Sequence, residues 1–263
     1  MPAGIGFAAL WRLVNETRSV AERAGFVAVS GSGAGLLAEQ LTAGGDPGAV
    51  RVTADPAGSV LSIVLFDSPP RPEETDLMRR AARARIPLVV VRTAVFAGAC
   101  PYVLPSHVVD ASGDTIPLDR LVHVLASVLD EDAVGLAGQL PVLRQAAERR
   151  MIDRTALVSA LIPLTPGGPQ VQMPLLTLAQ GRMLLRLGVA QGRALPHDPR
   201  QLATAVGPTL AGTFAAGFGL RALYRRLPVR GPLVASAVAY AGTRALGELQ
   251  ARRRQGGLSE RST

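Results

Sequence analysis

The chain contains no lysine: all 28 of its basic residues are arginine. Schiff-base chemistry through lysine is therefore excluded, as are a lysine general base and the lysine of a phosphate-binding loop. Cysteine occurs once, at Cys100, which rules out an intramolecular disulfide and a cysteine-rich zinc site. The three histidines, His107, His123 and His197, stand far apart without metal-ligand spacing, so no metal site is expected. Aromatic residues are scarce, at 4% of the chain. A core built from this composition has to be aliphatic, with small residues where helices meet. Arginine without interleaved aromatics is also a poor platform for stacking nucleic-acid bases, so no nucleic-acid partner is expected. Acidic residues run short in the second half. Residues 1–150 hold 14 Arg against 16 Asp and Glu, whereas residues 151–263 hold 14 Arg against 4, for a net +8 overall. A near-neutral half followed by a basic one points to two domains with different partners, a protein or an anionic membrane surface for the second. No signal peptide is expected: the apolar start carries Arg12 and runs into the charged residues 15–23.

What is present begins with FVAVSGSGAGLLAEQL at residues 26–41. A short β-favouring run, three spaced glycines and an apolar-periodic run predict a strand, a turn and a helix. In nucleotide-binding βα units that turn lets backbone N–H groups approach phosphate, and the helix N-terminus adds partial positive charge. The expected phosphate loop is Gly31, Ser32, Gly33, Ala34 and Gly35, with Asp67 beyond it, as a vestigial site. The side chains that complete such a loop are missing. A G-x-x-x-x-G-K-[ST] pattern fails because Gly31 and Gly35 are one residue too close and are followed by Leu36 and Leu37. A G-x-G-x-x-G pattern fails because its third glycine falls on Leu36. A glycine turn of this kind also serves purely structural ends, through positive φ or close packing.

Further along, the apolar run SVLSIVLF at 59–66 predicts a buried parallel strand and ends at Asp67-Ser68-Pro69-Pro70. An Asp here either acts on a magnesium-bound phosphate or caps a turn. Pro70 has no N–H to offer a γ-phosphate. A third run, PLVVVRT at 87–93, predicts another strand. Arg92, Thr93, Ala94 and Val95 follow where a guanine-reading loop would carry N-K-x-D. Helices are expected at 73–85 and 117–129, with a further strand at 107–109, which makes this half a parallel α/β sheet. Beyond residue 140 the pattern is helical: 142–161, 175–192, 199–227 and 232–254, with a polar, unstructured tail at 255–263. Ahead of everything, residues 5–24 read as an amphipathic helix expected to pack on the C-terminal helices through Leu10 and Trp11.

These elements resemble an Era-type GTPase domain, in GTPase order, with each motif stripped of its working residues. The second half is similar to the YcjF-type helical domain that follows such GTPases in bacteria. The resemblance rests on ALIPLTPGGPQVQMPLLTLAQGRMLLRLG (160–188), RALYRRLP (221–228) and, most clearly, AYAGTRALGE (239–248). It implies a P-loop GTPase-like sheet at 26–139, a helix at 1–25 before it and a helical domain at 140–254. It also implies a non-catalytic, pseudo-GTPase scaffold or binding role, without catalytic residues and without a cofactor, GTP binding being the exception to test. The expected place is the cytoplasm, with peripheral or integral contact at the inner membrane as the alternative. Residues 202–220 carry no charge and repeat small residues every four positions, which suits either a close-packed soluble bundle or a membrane contact. Arg221, Arg225, Arg226 and Arg230 form the expected corner facing an anionic headgroup or an acidic partner. The competing reading is a Rossmann-like domain for a dinucleotide or another phosphorylated ligand, with Asp55, about 20 residues past Gly35, as a ribose ligand.

Overall fold

The computed structural model describes residues 7–22, 25–94, 100–111, 115–166, 168–193, 195 and 231–259. The expected helix at 199–227, the charge-free run at 202–220 and the arginine corner at 221–230 lie outside the described residues. The chain divides into two compact units. One holds residues 20–147 and 190–192. The other holds residues 1–19, 148–189 and 193–263.

The first unit is an α/β domain. Its strands are β1 (Phe26–Gly31), β2 (Val50–Val52), β3 (Ser59–Phe66), β4 (Leu88–Arg92) and β5 (Val108–Asp110). They form one five-stranded sheet in the order β2-β1-β3-β4-β5, and every pairing is parallel. The central strands are buried along almost their whole length, as their unbroken Val, Leu and Ile runs require when helices cover both faces. The unit's helices are α2 (Ala34–Thr42), α3 (Pro72–Arg83), α4 (Leu118–Leu129) and α5 (Ala133–Gln139), followed by the start of α6 (Pro141–Leu161). Helix α3 begins with Pro72 and two glutamates and ends with arginines, so its dipole is met at both ends. Its apolar face, Leu77, Met78 and Ala81, packs on Val64, Phe66, Leu88 and Val90 of the sheet.

The second unit is helical. It contains most of α1 (Phe7–Glu22), the greater part of α6, a single 3₁₀ turn (Ile162–Leu164), α7 (Gly168–Ala190) and α8 (Pro232–Ser259). Trp11 packs against Leu13, Val14 and Leu185, so α1 lies on α7; the side chain of Leu10 is outside the described residues. Glu16 of α1 forms ion pairs with Arg182 and Arg186 of α7. Ile152 of α6 packs with Met183, Leu184 and Leu187 of α7 and with Leu246 of α8. A buried hydrogen bond, Gln180 Nε2 to Thr243 Oγ1 at 3.0 Å, locks α7 to α8. The last helix runs to Ser259, past residue 254 where an unstructured tail was expected; no proline stands in that stretch to stop it. Among the described residues, no helix is long and apolar enough to cross a membrane.

Candidate functional site

The strand order locates the one place in the sheet where a ligand would be sought. Crossovers run one way from β1 to β2 and the other way from β3 to β4 and β5. The reversal lies between β1 and β3, and open parallel sheets bind ligands outside the carboxyl ends of the strands at such a point. Here it brings together the loop after β1 and the loop after β3.

The three glycines after β1 differ in what the backbone asks of them. Gly31 has φ +98°, and a Cβ built there would lie 2.1 Å from the Leu65 carbonyl oxygen of β3. Gly33, at φ +81°, is also left-handed and caps α2 without any side-chain bond. Gly35 is helical, and nothing lies within 4 Å of its missing Cβ. So Gly31 is demanded by close approach to β3, Gly33 by its conformation and Gly35 by neither. The helical ladder of α2 opens with Leu37 N–H donating to the Gly33 carbonyl at 3.1 Å. The amides of Ala34, Gly35 and Leu36 therefore precede the first intrahelical bond and carry the partial positive charge of the helix start. Ala34 and Leu37 turn into the core, while Leu36 is 57% exposed. An exposed apolar residue thus follows Gly35, where the phosphate-loop sequence pattern has its lysine.

Opposite the turn, Asp67 follows the last residue of β3. Ser68 Oγ donates to its carboxylate at 3.1 Å. That bond first, and a second from the Ser32 hydroxyl, hold the Asp67 carboxyl below the usual carboxylate range. The sequence named Ser32 and Asp67 as parts of one site, and the fold does bring them together. Ser68 is the partner that sequence reasoning missed, although its place beside Asp67 was a signal. Asp67 is thus an anion at neutral pH, held by the hydroxyls of Ser68 and Ser32.

The loop after β4 is occupied by structural bonds. Thr93 donates to the Phe66 carbonyl from its backbone N–H at 2.8 Å and from Oγ1 at 3.1 Å, tying β4 to β3. Arg92, at the position of the missing guanine reader, pairs with Asp110 of β5 at 2.5 Å, and this contact depresses the Asp110 carboxyl. Burial pushes the Cys100 thiol up, against the counter-pull of Arg92. A protonated, buried thiol is a poor nucleophile. Asp55 stands three residues beyond β2, and its Oδ1 accepts from the Ala57 N–H at 3.1 Å. It closes its own turn. Among the described residues no group of three metal-ligating side chains gathers. Among the described residues, the reversal between β1 and β3 holds an uncapped helix start, Ser32, Ser68 and the Asp67 carboxylate.

No family model matches the chain, and no curated protein or solved structure matches it.

Proposed function

We propose that the protein is a non-catalytic, GTPase-like scaffold or binding protein of a bacterial cell, acting at the inner membrane. The observation that carries this reading is that exposed Leu36 follows Gly35, at the sequence place where a nucleotide-binding loop has its lysine. The occupied crest supports it: Asp67 is committed to Ser32 and Ser68, Arg92 to Asp110, and Pro70 has no amide to give. Without a lysine, and with no gathered set of metal ligands among the described residues, phosphoryl transfer lacks the side chains that position and stabilise it. The partners that fit are a protein or an anionic membrane surface, met by the basic helical half. The test is turnover of GTP with magnesium by the full chain. No turnover is expected, and turnover abolished by Gly35→Pro would overturn the proposal.

A second reading is favoured by the strand order. The order β2-β1-β3-β4-β5 is that of doubly wound, flavodoxin-like sheets, whose ligand sits at the β1/β3 reversal. On this reading the uncapped start of α2 takes a phosphorylated ligand or a dinucleotide. Calorimetric titration with GTP, ATP and NAD separates the two: binding of NAD weakened by Asp55→Asn supports the second.

A further inference from the structure

We draw no further inference here: the strongest candidate, the apolar surface patch of Leu157, Leu161 and Leu164 on α6 and the 3₁₀ turn of the helical unit, carries none because nothing in the structure shows what covers it.

Discussion

Replacing Gly31 and Gly35 separately by alanine distinguishes the glycine that builds the turn from the glycine the fold does not need. At Gly31 an alanine meets two penalties. Its φ of +98° lies in the left-handed half of the map, and such conformations cost an L-residue about 1–2 kcal/mol. Its Cβ would also sit 2.1 Å from the Leu65 oxygen, with Leu65 C and N both at 3.0 Å. The clash is with backbone, not with the tip of a side chain, so β1 and β3 have to part at this register. Loosening one or two ladder bonds adds about 1 kcal/mol each. The total is about 2–4 kcal/mol. Gly35→Ala has the opposite sign. The position is helical and open, so an alanine should stabilise α2 by about 0.5–1 kcal/mol. Native-state hydrogen exchange of the β1 and β3 amides reads both effects where they act, without confusion from the helical unit. Exchange of the Val29 and Ile63 amides should speed up by roughly thirtyfold or more in Gly31→Ala, at about 1.4 kcal/mol per decade. It should slow or stay level in Gly35→Ala. An unaltered rate in Gly31→Ala would refute the close-approach account. Marked acceleration in Gly35→Ala would show that Gly35 meets a constraint not visible in the fold. If Gly35→Ala holds its stability but loses binding to a phosphorylated ligand, the turn still serves an anion.

Two further outcomes follow from particular contacts. Asp67 should titrate below its ordinary value of 3.8, and Ser68→Ala should raise it more than Ser32→Ala. Its folded value is depressed, so its contribution to stability is full above pH 3.8 and fades as pH falls through the lower folded value; carboxyl chemical shifts followed by NMR check both points. In the helical unit, a Cβ at Gly247 would lie 2.7–3.1 Å from three carbons of Ile152. Gly247→Ala should cost about 1–3 kcal/mol by overpacking. Pairing it with Ile152→Ala should recover part of that loss, and strictly additive losses in thermal melts would refute the contact.

The sequence made strands easy to find and their neighbours hard. β3 and β4 are continuous apolar runs because both faces are covered, and such runs are legible from composition alone. Which strand lies beside which is set by the crossovers, and periodicity carries no record of them. The pairing of Ser32 with Asp67 depends on that order. It could be anticipated only by assuming that β1 and β3 are adjacent, as the GTPase resemblance does. Helix α5 escaped notice because its seven residues are too few to show a period and five of them are buried. Pro166 and Pro169 were good stop signals, yet α7 begins at Gly168, since a proline in the first turn has no intrahelical bond to break. The small-residue spacing sought at 202–220 recurs, within the described residues, on α8. Ala239, Thr243 and Gly247 stand four apart, and all three are buried. Gly247 meets Ile152 of α6, and Thr243 accepts from Gln180 of α7. The seam therefore has a reason at each position: missing Cβ at one, a buried hydroxyl at the next. It coincides with AYAGTRALGE, the segment on which the likeness to the GTPase-associated helical domain most depends. Packing of α8 against α6 and α7 accounts for the small and polar residues of that segment without any ligand.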